Sequence, residues 1–244
     1  MTLVVNPSDN AFKAVGGPFG IGEVSNTRVP HAESSVSHYA SGEEVVGEGD
    51  PAENYFMVVK GVFRSVKVTR DGRRQIFAFY MPGDMCGLEP GPAYDLTIEA
   101  VNAGSIAVLS RTACRTRMSR DPQFNSAVFE GATRALALSI DHMTMVGRSS
   151  AEERLAWFLK MLRDRAAVPG REPVTVELVM QRQDIADYLG LTIETVSRTF
   201  THMKERGFIA LPTTRRVEIL NPKALERLAA ADRDAPAWDR RICA

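Results

Sequence analysis

Glu194, Ser197 and Arg198 stand at i, i+3 and i+4 within Thr192-Ile193-Glu194-Thr195-Val196-Ser197-Arg198. In a helix that spacing projects all three side chains from one face near the N-terminus. A guanidinium can donate two parallel hydrogen bonds to guanine O6 and N7, and a carboxylate can accept from cytosine N4. A hydroxyl, or an apolar neighbour such as Ile193, can meet a thymine methyl. Ile193, Glu194, Ser197 and Arg198 therefore form a candidate set for reading base edges. The alternative is an ordinary helix pair whose Glu194 and Arg198 form a surface ion pair worth about a few tenths of a kcal/mol.

What decides between the two readings is the frame around these residues. Ile185-Ala186-Asp187-Tyr188-Leu189 leads through Gly190-Leu191 into the Thr192 segment. Ala186 is small enough for two helices to cross closely, Gly190 suits a left-handed turn position, and Val196 can pack the second helix back on the first. The separations, four residues from Ala186 to Gly190 and six from Gly190 to Val196, are those of a helix-turn-helix. Thr192 can cap the second helix and Gly207 can end it. Beyond it, Phe208-Ile209-Ala210-Leu211 and Val217-Glu218-Ile219-Leu220 flank Pro212-Thr213-Thr214-Arg215-Arg216, which predicts a hairpin with a basic tip, a candidate wing. Arg182, Thr192, Thr195, Arg215 and Arg216 can reach backbone phosphates, contacts that fix register without reading sequence. For each of these residues singly, an ordinary solvated surface position remains open.

Upstream the texture differs. Tyr55-Phe56-Met57-Val58-Val59, Val62 to Val68, Ile76 to Tyr80, Leu96 to Val101 and Ser105 to Leu109 are short apolar runs. Gly49, Gly61, Gly72 and Gly83 recur every 11 or 12 residues, as when each strand is followed by a tight turn. A small antiparallel barrel or roll follows. From Asp121-Pro122 the period becomes helical, with Phe129, Ala132, Leu136, Ile140 and Met143 spaced 3, 4, 4 and 3. One stripe of so long a helix can lie on the roll, and the apolar residues left over, including Val128, Leu138 and Met145, can seat a second subunit. A single amphipathic helix lying on its own domain is the other reading. Ser149-Ser150 followed by Glu152-Glu153 offers two overlapping capping boxes for a further helix, with Leu155, Phe158, Leu159 and Leu162 as its apolar face. Pro169-Gly170 then breaks it, and Val174 to Leu178 reads as a short strand.

The chain of 244 residues thus divides into a flexible N-terminal arm (1–34), a β-roll (35–120), a long helix (121–147), a winged helix-turn-helix (148–230) and a C-terminal tail (231–244). The fold class is α+β. Thirty basic and thirty acidic residues cancel. Their distribution is uneven: residues 1–147 carry 13 basic against 16 acidic groups, 148–220 carry 12 against 10, and 221–244 carry 5 against 4. The basic excess falls where the DNA-reading face is expected. No run approaches the roughly 20 apolar residues of a membrane span, and the N-terminus lacks the form of a signal peptide, so a cytoplasmic protein with no membrane partner is expected. Cys86, Cys114 and Cys243 are too few and too scattered for a disulfide scaffold or a paired zinc site. No Ser/His/Asp spacing, P-loop or metal motif speaks for an enzyme.

The order of glycine-punctuated roll, long helix and winged helix-turn-helix resembles the Crp/Fnr family of bacterial transcription regulators from about residue 38 to 230. Gly49-Asp50-Pro51, Tyr55 to Gly61, Asp71-Gly72-Arg73 and Pro82-Gly83-Asp84-Met85-Cys86-Gly87 carry the resemblance in the roll. Glu194-x-x-Ser197-Arg198 is similar to the Fnr-branch reader, and Asp184 to Thr192 resembles FixK-type regulators of low-oxygen and nitrogen-fixation genes. The resemblance implies a homodimer joined through Phe129, Ala132, Leu136, Ile140 and Met143, bound to double-stranded DNA at TTGA-type palindromes. Arg198 and Glu194 then meet the G·C pair and Ser197 lies toward thymine. Bound beside a promoter, such a protein offers surfaces to RNA polymerase and mainly activates, while a site overlapping the promoter represses.

The departures bear on control. Crp holds a cyclic nucleotide phosphate with an Arg-Ser pair, but here Asp95-Leu96-Thr97-Ile98-Glu99 supplies no arginine and two acids that repel phosphate. Fnr's cluster-ligating cysteines lie largely in its N-terminal arm, whereas residues 1–85 here contain none. His31, His38, His142 and His202 have no partner motif for haem. No cofactor is expected, and activity is set by abundance. The alternative within the same family is a roll that gates DNA binding through haem, nitric oxide or a small metabolite.

Overall fold

Alternating apolar runs separated by glycine turns build two four-stranded antiparallel sheets. The computed structural model describes residues 34–148, 150–166 and 174–230. The assigned tail, nearly all of the arm, Ser149 and the Pro169-Gly170 break lie outside them. One sheet has the order β1-β8-β3-β6, with β1 Ser34–Tyr39, β3 Asn54–Lys60, β6 Met85–Cys86 and β8 Gly104–Ser110. The other has the order β2-β7-β4-β5, with β2 Glu44–Val46, β4 Phe63–Val68, β5 Arg74–Tyr80 and β7 Thr97–Ala100. Phe56, Val58, Phe63, Ile98 and Ile106 fill the space between them.

The five expected strands are β3, β4, β5, β7 and β8. The glycine rhythm has its expected cause, since Gly49, Gly61, Gly72 and Gly83 all adopt positive φ. Gly61 is fixed twice over, because a Cβ there would stand 2.8 Å from Gly104 Cα. Three short strands escape the sequence pattern. β1 is polar and lies at a sheet edge, so the roll begins at Ser34, one residue inside the assigned arm. β2 and β6 are too short for any alternation to register. A helix, α1 Arg111–Met118, was also not expected. Buried Arg111 anchors its start, donating to the carbonyls of Gly87 at 2.9 Å and Gly91 at 3.1 Å.

The long helix is α2, Pro122–Arg148, one residue past the expected end. Asp121 Oδ1 accepts from Phe124 N at 3.0 Å and Pro122 takes the first helical position, where its missing N–H costs nothing. The face that packs on its own chain corrects the expectation. Val128 and Met145, expected among the residues left over, are buried within this chain. Phe129, Leu136, Ile140 and Met143 are instead 70, 60, 49 and 64% exposed, and Ala132 between them is half-buried.

The C-terminal part comprises α3 Ala151–Ala166, β9 Thr175–Glu177, α4 Arg182–Leu189, α5 Ile193–Glu205, β10 Ile209–Thr213, β11 Arg216–Ile219 and α6 Pro222–Ala230. Ser150 and Glu153 close a capping box at the start of α3: Ser150 N donates to Glu153 Oε2 at 2.7 Å, and Glu153 N donates to Ser150 Oγ at 3.3 Å. Leu155, Phe158, Leu159 and Leu162 are all buried, as their spacing requires. Strands β10, β11 and β9 form a three-stranded antiparallel sheet. Pro212, which cannot donate to a ladder, falls on its edge strand at a register shift.

Candidate nucleic-acid interface

Helix α4 starts where Gln181 N donates to Asp184 Oδ2 at 3.1 Å, and it ends at Gly190, which takes φ 63° and ψ 40°. That left-handed residue turns the chain into α5. Thr192 caps α5, its hydroxyl accepting from Thr195 N at 3.2 Å. Ala186 and Val196 are fully buried at the crossing of the two helices. Val196, Thr199, Phe200 and Met203 face inward. Ile193, Glu194, Ser197 and Arg198 are exposed together on the opposite side, as the spacing predicts.

The exposed face has the right electrostatics for base edges. Hydrogen bonding from its own backbone N–H, and then from the Thr192 hydroxyl, holds the Glu194 carboxyl below its ordinary range. It is therefore an ionised acceptor at neutral pH. Arg198 makes no salt bridge among the described residues, and its charge adds only the smallest of the effects that lower Glu194, so the guanidinium stays exposed. His202, one turn on, is exposed beside Glu152.

The five expected backbone contacts divide. Thr192 and Arg215 are exposed, Arg215 at the turn of the β10–β11 hairpin. Thr195 is half-buried, with its hydroxyl 3.1 Å from that of Thr192. Arg216 is drawn toward Glu218, 3.7 Å away on the same strand. Arg182 departs from the free phosphate-binding cation expected of it. Its guanidinium carbon lies 3.4 Å from the centre of the Phe200 ring, and Nη2 donates to Thr214 O at 3.3 Å. Burial lowers its pKa to about 10. A cation stacked on α5 and bonded to the hairpin tip fastens the wing to the recognition helix, a packing role that its position in the sequence does not reveal.

Several residues that hold this face in place lie far from it in sequence. Arg154 of α3 donates to Leu189 O at 2.9 Å and Gly190 O at 3.3 Å, clamping the turn. His142 of α2, which has no local partner motif, donates from Nε2 to Tyr188 O at 2.7 Å. Glu99, read from sequence as a repeller of phosphate in the roll, is occupied by Arg64 at 2.8 Å and Arg74 at 2.7 Å, which tie it to α4. No local pattern marks these pairs, since their partners stand 25 to 46 residues apart.

A two-sheet roll, a long helix and an exposed reader on a winged helix-turn-helix define a DNA-binding transcription regulator of the Crp-like class. Residues 36–121 match the cyclic nucleotide-binding domain family and residues 153–228 match the Crp-like helix-turn-helix domain family. The chain is 42% identical over 191 residues to the nitrogen fixation regulation protein FixK of Azorhizobium caulinodans, covering 78% of this chain and 77% of that one. It is 38% identical over 221 residues to the transcriptional activatory protein AadR of Rhodopseudomonas palustris, covering 89 and 92%. The solved structure of FixK2 from Bradyrhizobium japonicum superposes with a TM-score of 0.73 at 38% identity, covering 84% of this chain and 98% of that one. The chain belongs to the Crp/Fnr family of transcription regulators and is of the FixK type.

Proposed function

We propose that the protein is a homodimeric regulator, mainly an activator, that binds TTGA-type palindromes and serves low-oxygen or nitrogen-fixation genes, the latter as the names of its FixK relatives suggest. The observation that carries this reading is the joint exposure of Glu194, Ser197 and Arg198 on one face of α5. The bare apolar stripe Phe129, Ala132, Leu136, Ile140 and Met143 on α2 supports the dimer, because a helix seldom leaves so long a stripe uncovered. Two recognition helices then enter successive major grooves about one helical turn apart. RNA polymerase is the partner such a complex would recruit from beside a promoter. Hydroxyl-radical footprinting on a TTGA palindrome tests this: two protected half-sites are expected, and one continuous or shifted stretch contradicts it.

The wing supplies the part of the affinity that does not read sequence. Arg215→Ala is expected to weaken binding to a palindrome and to a scrambled duplex alike, by about two- to fivefold, and to lower the salt slope by about one. Titrations at two salt concentrations check it; a loss confined to the palindrome would give Arg215 a base-reading role.

A cavity of about 420 Å³ between β5, β6 and α2 favours a second reading, in which a small molecule in the roll gates DNA binding. Its lining is mixed in charge, with Asp84 and Glu89 against Arg134 and Arg165. Glu89 presents to it a buried carboxylate oxygen without a hydrogen-bond partner, and Arg165 on its wall is already paired with Asp84. A phosphate placed beside Glu89 meets a carboxylate, while Arg134 of α2 supplies a cation on the opposite wall. The buried thiols of Cys86 and Cys114 are pushed up by burial, which keeps them protonated and unreactive at neutral pH. Occupancy set by the amount of protein is the simpler reading.

A further inference from the structure

Helix α4 carries none of the four expected base-reading side chains, yet the rest of the protein grips it along its length. From the roll, Arg74 Nη1 donates to Asp187 Oδ2 at 2.8 Å and to Asp184 Oδ1 at 3.0 Å. Gln75 Nε2 donates to Asp187 O at 2.7 Å, and Arg64 Nη1 lies 2.8 Å from Asp184 Oδ1. Glu99 closes this cluster from β7 by receiving both arginines. These are side chains of the roll reaching more than a hundred residues along the chain.

At the C-terminal end Tyr188 is met from three sides. The Phe79 ring of β5 is 5.0 Å away, the Phe158 ring of α3 is 5.8 Å away, and the His142 ring of α2 stacks at 4.0 Å with an interplanar angle of 4°. Because its partner is a carbonyl, His142 Nε2 carries the proton it donates to Tyr188 O. Burial pushes the imidazole below its ordinary pKa, so the ring is neutral at pH 7. His142 is also the neighbour of Met143 and lies two residues from Ile140, both on the bare stripe of α2.

The geometry is thus continuous from the α2 stripe through His142 to α4, and from α4 through the Gly190 turn to α5. We infer that His142 and Arg74 are positioning residues that fix the recognition helix relative to α2, and so set the half-site spacing that the dimer accepts. This rests on the homodimer reading above. Neither side chain has to touch DNA. A rigid link between the seam and the reader penalises any palindrome whose half-sites are displaced, and loosening that link reduces the penalty.

The test uses the full chain and three duplexes: the TTGA palindrome, the same palindrome with one base pair inserted between its half-sites, and a single half-site. The wild type should prefer the first over the second by about tenfold or more. His142→Ala and Arg74→Ala should each shrink that preference by about fivefold, with single half-site affinity kept within about twofold. His142→Gln, which retains an N–H for the Tyr188 carbonyl, should recover part of it. Should the alanine variants unfold, Arg74→Lys provides a second route: one ammonium cannot serve Glu99, Asp184 and Asp187 together, so the spacing preference should fall partway while the fold is kept. An unchanged spacing preference, or equal losses on all three duplexes, overturns the inference. A wild type that binds the palindrome no better than the single half-site overturns the dimer reading first and the positioning role with it.

Discussion

Arg198→Ala should weaken binding to a TTGA palindrome by about 1 to 3 kcal/mol per half-site, or roughly 5- to 150-fold, and should abolish discrimination at the guanine. The size follows from what is lost. Arg198 stands exposed on α5 without a salt bridge among the described residues, so its guanidinium can give two hydrogen bonds to one base at little cost in broken partners. Truncation also leaves guanine O6 and N7 facing a groove wall with no donor. Competition titrations with each of the four bases at that position would measure the effect. A uniform loss across all four would mean that Arg198 serves the backbone and that the reader has been misassigned. Glu194 offers the complementary check: its ionised carboxylate would accept from the paired cytosine in the proposed complex, and Glu194→Gln should relax the same base pair.

Ile140→Asp should convert the dimer to monomer at micromolar concentration. Ile140 lies in the C-terminal half of the exposed stripe, and the proposed two-fold seam would place it twice in the interface. Losing two buried isoleucines removes about 3 kcal/mol or more, and two unpaired carboxylates must also be desolvated. The dissociation constant therefore rises by about two orders of magnitude or more. Palindrome affinity should fall to that of a single half-site while the helical content stays unchanged. Light scattering at several concentrations, with circular dichroism alongside, measures both. A full dimer in the variant would place the seam elsewhere.

The legible parts of this molecule were those whose causes are local. Ala186, Gly190, Thr192 and Val196 fix the helix-turn-helix within eleven residues of chain, and all four take the places their chemistry predicts. The glycine rhythm of the roll is legible for the same reason, each turn being closed by neighbours in sequence. What escaped has distant causes. The apolar pattern of α2 contains two stripes, and only the roll and α3, packing against Val128 and Met145, decide which one stays bare. Arg182 reads as a free cation until Phe200 and Thr214 are placed beside it. His142 and Arg74 have no local motif, because their partners arrive only when the domains dock. β1 was obscured by its polarity, which suits an edge strand but mimics a loop.

The proposed regulator should read a TTGA palindrome without any added effector. Fluorescence anisotropy of the purified protein, in air and without added ligand, on the palindrome and on a scrambled duplex at one fixed salt concentration tests it most directly. A preference of about a thousandfold or more for the palindrome is expected. Equal, weak binding to both duplexes would contradict it, and would point to the cavity beside Glu89 as the place where a missing effector must act.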